Sequence, residues 1–76
     1  MNEKRIRLSD TNEVKEFVRE AEKCDFDIDI FYNRVVIDAK SFLGVLSMDL
    51  SQILTVKYGG EDSNFENVLR RYAVAS

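Results

Sequence analysis

The sequence contains no histidine, and this absence excludes several kinds of chemistry at once. Without an imidazole there can be no histidine metal ligand, no serine or cysteine nucleophile activated by histidine, and no phosphohistidine. Proline and tryptophan are absent too. The single cysteine, Cys24, cannot form a disulfide within the chain, which favours a reducing compartment. We therefore expect a cytoplasmic protein.

Long apolar runs and an excess of basic residues are also missing. No run approaches the roughly 18 apolar residues of a membrane-spanning helix, and the first ten residues lack the apolar segment of a signal peptide, so no membrane insertion is expected. There are 11 Lys+Arg and 14 Asp+Glu residues, which give a formal net charge of −3. This balance argues against nucleic acid as a partner.

What is present is the composition of one small globular domain, with 76 residues of which 45% are hydrophobic and 33% charged. We treat residues 1–76 as a single domain. One acidic motif, Asp25-x-Asp27-x-Asp29, is similar to the start of a calcium loop. However, Ile30 stands where such a loop requires glycine, and Val36 stands where it requires glutamate. No metal and no cofactor are therefore expected.

Changes in hydrophobic periodicity predict seven secondary-structure elements in the order β-α-β-β-α-β-α. Alternating residues indicate strands, and apolar residues at i, i+3, i+4 and i+7 indicate helices. The elements are strands at 3–8, 26–32, 35–39 and 52–58, a helix from a cap at Asp10 to about Lys23, a short helical segment opening at Ser41, and a last helix capped by Asp62 or Ser63. The predicted fold class is α+β, an open-faced β-sandwich whose four-stranded, mainly antiparallel sheet is covered on one face by helices.

The stretch from Ala21 to Leu50 resembles the central part of HPr, the phosphocarrier family of the bacterial sugar phosphotransferase system. The most specific piece is KSFLGVLS, residues 40–47, which is similar to the K-S-I-M-G-V-M-S segment of that family. The family fold is the β-α-β-β-α-β-α sandwich predicted above, at nearly the same length. The resemblance therefore covers most of the chain.

The resemblance fails at the phosphocarrier site of the family, which is a G-I-H-A-R-P motif at the start of the first helix. Ungapped extension places Asp10 at the histidine, Asn12 at the arginine and Glu13 at the proline. A phosphoryl acceptor of that kind needs a neutral imidazole and a cation for the phosphoryl oxygens. The chain should therefore not act as a histidine phosphocarrier.

The resemblance is retained at a second site. Ser41 matches the regulatory serine that HPr kinase phosphorylates in the family. The surface around it, formed by Lys40, Ser41, Phe42, Leu43 and Leu46, is similar to the family's docking surface for protein partners, including the kinase and a transcriptional regulator. Catabolite-repression HPr-like proteins also lack the histidine and keep the serine. The structural alternatives are that Ser41 is only a helix cap and that the apolar residues belong to the core. If part of the surface is exposed, we expect Phe42 and Leu46 to be the exposed residues.

Three functional hypotheses follow, and none of them is an enzyme. The first is a regulatory interaction module that acts through Ser41 and the adjacent apolar surface. The second is a phosphoryl-transfer component with a non-histidine acceptor such as Asp10, although Asp10 is more simply a helix cap. The third is a protein-binding domain recruited to a role unrelated to sugar transport. A monomer or weak homodimer is expected, and exchange of the first strand between chains is compatible with the resemblance.

Overall fold

The computed structural model describes residues 1–74 and contains the predicted elements in the predicted order. Strands and helices alternate where the hydrophobic period of the sequence changes between two and about 3.6 residues. Their bounds are β1 (Asn2–Ile6), α1 (Thr11–Glu22), β2 (Ile28–Tyr32), β3 (Val35–Asp38), α2 (Phe42–Leu46), β4 (Leu54–Tyr58) and α3 (Ser63–Tyr72).

The four strands form one sheet in the order β1-β4-β2-β3, and all three pairings are antiparallel. The β2–β3 hairpin closes at the pair Tyr32 and Val35. Its turn contains Asn33 with φ of 53°, a left-handed conformation that asparagine tolerates better than most residues. The predicted α+β open-faced sandwich is confirmed, with an entirely antiparallel sheet in the described residues.

The core lies between one face of the sheet and the helices. Every second strand residue points to this face, and α1 and α3 each contribute one apolar stripe. Phe17 of α1 and Phe65 of α3 meet with ring centroids 5.7 Å apart, and Tyr58 of β4 packs edge-on against Phe65 at 5.5 Å. The buried side chains include Ile6, Leu8, Val14, Phe17, Val18, Ala21, Ile28, Ile30, Val45, Leu54, Val56, Tyr58, Phe65, Val68 and Leu69.

All three helices begin at a side-chain cap. Asp10 Oδ1 accepts the N–H of Glu13 at 2.9 Å, and Asp62 Oδ1 accepts the N–H of Phe65 at 2.9 Å. Each bond satisfies a backbone donor that the first helical turn leaves free. Of the two caps proposed for the last helix, Asp62 is the one used.

All four strands are shorter than the alternation predicts, and β1 shows why. β1 ends at Ile6 because the Arg7 N–H turns to the carbonyl oxygen of Tyr72, at 3.0 Å. The chain after α3 then continues beside β1, with an Ile6–Ala73 bridge and a bond from Val74 N–H to Arg5 O at 3.1 Å. Leu8 is still buried, so alternation identified its burial but not the end of the pairing.

Candidate functional site

Ser41 begins α2 as its N-cap, as the sequence predicts. Its Oγ accepts the N–H of Gly44 at 3.2 Å, and its own N–H donates to the Asp38 carbonyl at 3.0 Å. The carbonyl of Ser41 accepts the first helical bond, from Val45 N–H at 2.9 Å. The residue is exposed. Its backbone is therefore fixed on both sides, while the residue as a whole stays exposed.

Leu43 is the main exposed apolar side chain of α2, at 76% exposure. Phe42 and Leu46 are only half-exposed and pack against the core, so the expectation that they form the more exposed pair is wrong. The reason is helical spacing: positions 42, 45 and 46 follow i, i+3, i+4 and face the core around buried Val45. Leu43 points the other way, on the same side as exposed Ser47.

Gly44 lets α2 approach β3 closely. A Cβ at this position would lie 2.9 Å from Ile37 Cγ2 and 3.0 Å from Ser41 Oγ. Any side chain would therefore press on both the sheet and the cap. The sequence showed a glycine in the segment but could not show this role, because Ile37 belongs to a different element.

Lys40 is part of an internal link as well as of the predicted docking surface. Its ammonium donates to the carbonyl oxygen of Cys24 at 2.8 Å, just beyond the end of α1. Its backbone N–H donates to Asp38 Oδ1 at 2.9 Å. The start of α2 is thereby held beside the C-terminal end of α1, where a cation is favourable.

The N-terminus of α1, where the resemblance places the phosphocarrier site, is occupied by carboxylates of the chain itself. In addition to the Asp10 cap, Glu13 Oε1 accepts the N–H of Ser9, the residue before the cap, at 2.6 Å. Asn12 is exposed on the first turn. One free donor of the helix end, the Glu13 N–H, and the N–H of the preceding Ser9 are therefore already bonded to carboxylates.

Asp10 and Ser41 lie toward opposite ends of α1. Asp10 begins this helix, whereas Lys40, the residue before Ser41, is bonded to Cys24 just beyond the last turn of the helix. The twelve helical residues between these two ends span about 18 Å. No hydrogen bond or ion pair in residues 1–74 joins Asp10 to the docking surface. The two predicted sites are thus separate.

A cluster between α1 and α3 holds Arg71, in the last turn of α3, in a structural role. Glu16 accepts hydrogen bonds from the Tyr72 hydroxyl and from the Arg71 guanidinium. These two bonds lower the pKa of the Glu16 carboxyl, and burial together with the bond to Glu16 raises the pKa of the Tyr72 hydroxyl. This guanidinium is paired with a carboxylate of the chain itself.

Two further side chains, Cys24 and Tyr58, have shifted pKa values that follow from their packing in the fold. Burial raises the pKa of the Cys24 thiol, so this cysteine is not activated as a nucleophile. Burial and a 2.6 Å bond to Glu66 raise the pKa of the Tyr58 hydroxyl.

Among residues 1–74, no three Cys, Asp or Glu side chains are grouped as ligands for a metal ion. None of the helices in that range has the length and apolar character needed to cross a bilayer.

An open-faced sandwich with β-α-β-β-α-β-α order and a β1-β4-β2-β3 sheet defines the HPr-like fold class. The chain is similar to the structure of the phosphocarrier protein HPr from Bacillus anthracis str. Ames, with a TM-score of 0.69 and 24% sequence identity over 93% of this chain and 95% of that one. It is also similar to the catabolite repression protein Crh of Bacillus subtilis, with a TM-score of 0.65 and 18% identity over 92% and 88% of the two chains. The Crh structure is an intertwined dimer with a swapped domain.

These identities establish a common fold and leave function to be argued from the residues. No protein-family model matches the sequence. No curated protein matches it significantly either.

Proposed function

We propose that the chain is a regulatory interaction module with the HPr fold, not an enzyme and not a histidine phosphocarrier. The observation that carries the proposal is that exposed Ser41 caps the short helix that presents the 76%-exposed Leu43, in a chain without histidine. A hydroxyl can be modified, and exposed apolar surface can be buried against a partner. Crh, which has the same fold, is described as a catabolite repression protein, and this supports a regulatory role.

The electrostatics of α2 suit a switch at Ser41. The five residues Phe42–Leu46 carry no charge, so the surface that they present is apolar. Phosphorylation would add about −1.5 to −2 charges at its edge, in place of a neutral hydroxyl. Asp38 and Asp49 already provide negative charge nearby in sequence, so the modified surface would be anionic. The proposed partners, by resemblance, are HPr kinase and a transcriptional regulator that distinguishes the two forms.

The start of α1 supports the other half of the proposal, the absence of phosphate relay. Asp10 and Glu13 place two carboxylates where an incoming phosphoryl group would need cations and free N–H donors. A phosphoryl group there would meet like charge, and the Glu13 N–H would not be free to bind it. Transfer to Asp10 is therefore the weaker alternative.

Incubation with HPr kinase and ATP, followed by mass measurement, tests the modification. We expect one phosphoryl group on the wild-type chain and on Ser47→Ala, and none on Ser41→Ala. Ser47 is a matched control because it is also exposed on α2, and its hydroxyl donates to Gly44 O at 2.6 Å. Modification that persists in Ser41→Ala, or no modification at all, would remove the regulatory claim.

Labelled phosphoenolpyruvate and enzyme I test the relay separately. We expect no label on this chain. A hydroxylamine-labile label that is lost in Asp10→Asn would instead support the phosphoryl-transfer hypothesis.

A further inference from the structure

Strand β3 has an open edge with hydrogen-bonding groups directed outward. In residues 1–74 its one strand neighbour is β2. Ala39 N–H donates to the Ile28 carbonyl at 2.9 Å, so Ala39 and, by antiparallel alternation, Ile37 and Val35 turn their backbone groups toward β2. The backbone groups of Val36 therefore point away from the sheet, as does the N–H of Asp38.

Two of the four side chains along this edge are exposed and apolar. Val35 and Val36 are 47% and 54% exposed, and the strand contains no lysine and no proline. Two exposed charged residues flank the valines, Arg34 before them and Asp38 after them. Within the described residues, the Arg34 guanidinium has no carboxylate within salt-bridge distance.

Asp38 has a second carboxylate, that of Asp29, as its neighbour in its own sheet. It is in register with Asp29, so two carboxylates project from the same open face at a pair that is not bridged by ladder hydrogen bonds, where side chains come closest. Lys57 is in register with Asp29 on its other side, but its ammonium lies 4.6 Å from the centroid of the Phe31 ring and 3.8 Å from Glu3 Oε1. A further cation beside Asp38 would relieve the repulsion.

We propose that a second copy of the chain pairs with this edge, β3 against β3, antiparallel and centred on Val36. In this register the outward groups of the two Val36 residues bond to each other, and Arg34 of each copy lies opposite Asp38 of the other. The Asp38 carbonyl, which also accepts the Ser41 N–H, has a second lone pair for this contact. The two sheets would join into one of eight strands.

The charge pattern is the reason to choose a second copy as the occupant. Arg34 and Asp38 stand two residues before and two residues after Val36, so a two-fold axis through Val36 brings opposite charges together twice. The contact is small compared with the roughly 1,200 Å² of a stable interface, so self-association is weak and depends on concentration. It differs from strand exchange, because each copy keeps its own β1.

Sedimentation equilibrium of the full chain up to about 1 mM tests the contact. We expect a reversible dimer in the wild type and at least tenfold weaker self-association in Arg34→Asp and in Asp38→Arg. An equimolar mixture of these two variants should dimerise again, because each Asp then meets an Arg of the other copy. A wild type that is monomeric throughout, or a dimer that Arg34→Asp does not weaken, would overturn the proposal.

A backbone variant provides a second, independent test. Val36→Pro removes an outward N–H that β2 does not use, so it should fold and lose the dimer. Folding is checked by circular dichroism for this variant and for Asp38→Arg, since Asp38 also accepts the Lys40 N–H. If the folded Val36→Pro variant still dimerises, the dimer interface is not the β3 edge and the proposal is wrong. The same conclusion would follow if the subunits exchanged only on the slow timescale of unfolding.

Discussion

Lys40 and Cys24 are joined across 16 residues of sequence by a 2.8 Å hydrogen bond from the lysine ammonium to the cysteine carbonyl. The bond satisfies a carbonyl just beyond the end of α1 and fixes the position at which α2 begins. The candidate regulatory serine is the next residue, so its placement depends on this contact.

Replacement of Lys40 by Met should therefore lower the free energy of unfolding by about 1.5 kcal/mol, the lower end of the range for a hydrogen bond to a charged group, because the bond is only partly buried. Met keeps most of the apolar stem, so packing changes little. Urea denaturation gives the value. Lys23→Met is the control, because Lys23 pairs with Glu20 at the surface and should cost less than about 0.5 kcal/mol. Equal losses in the two variants would show that the link to Cys24 contributes nothing specific.

Two adjacent glycines should respond in opposite ways to a methyl group. A Cβ on Gly60 would lie 2.3–2.7 Å from three ring atoms of Phe26, whereas a Cβ on Gly59 would have no heavy atom within 4 Å. Gly60→Ala should destabilise the protein by about 2–3 kcal/mol through overpacking. Gly59→Ala should be neutral or stabilising by about 0.5 kcal/mol, because the unfolded chain loses freedom. Thermal or urea unfolding of both variants measures the difference, and similar values would contradict the close packing of Gly60 on Phe26.

Features that depend on local sequence patterns could be predicted, whereas contacts between residues of different elements could not. Helix caps, amphipathic stripes and the β2 alternation are local patterns, and local patterns predicted all seven elements and the fold class. Close approach of Gly60 to Phe26, or of Gly44 to Ile37, joins residues from different elements and has no local signal. The end of β1 was missed for the same reason, since it is set by a bond from Arg7 to distant Tyr72.

The candidate site was predicted in outline only. The N-cap position of Ser41 was predicted from the sequence and is confirmed, while its regulatory role stays a prediction from the family resemblance. The exposed member of the apolar group was misassigned, because a five-residue helix with apolar residues on most sides does not reveal which side faces the sheet.

Leu43 and Val45 should separate docking from stability on α2. Leu43→Ala removes an exposed side chain and should change the free energy of unfolding by less than about 0.5 kcal/mol, while Val45→Ala removes buried methyl groups and should cost about 2 kcal/mol. If the proposed docking surface is used, Leu43→Ala should weaken binding of a partner such as HPr kinase several-fold, which titration calorimetry would measure. Unchanged affinity in Leu43→Ala would exclude this side chain from the interface.

Glu16 should give the protein part of its acid sensitivity. Bonds from Tyr72 and Arg71 place the Glu16 pKa in the folded chain below its ordinary value of 4.5. The stabilisation is therefore fully present above about pH 4.5 and is lost as the pH falls through the lowered folded-state pKa. Both partners of the ion pair are partly exposed, so solvent screens their attraction and the contribution to stability should be small.

Urea denaturation of Glu16→Gln from pH 7 to pH 3 tests this assignment. We expect a lower free energy of unfolding than the wild type at pH 7, a shallower decline with acid, and convergence of the two curves at the acid end. Glu22→Gln is the matched control, since Glu22 is an exposed carboxylate of the same helix with no ion pair in the described part of the chain. Its curve should stay parallel to that of the wild type. Removal of a group with a lowered pKa must change the slope of the unfolding free energy against pH. A Glu16→Gln curve parallel to that of the wild type would therefore mean that the cluster between α1 and α3 does not hold this carboxylate in its charged form.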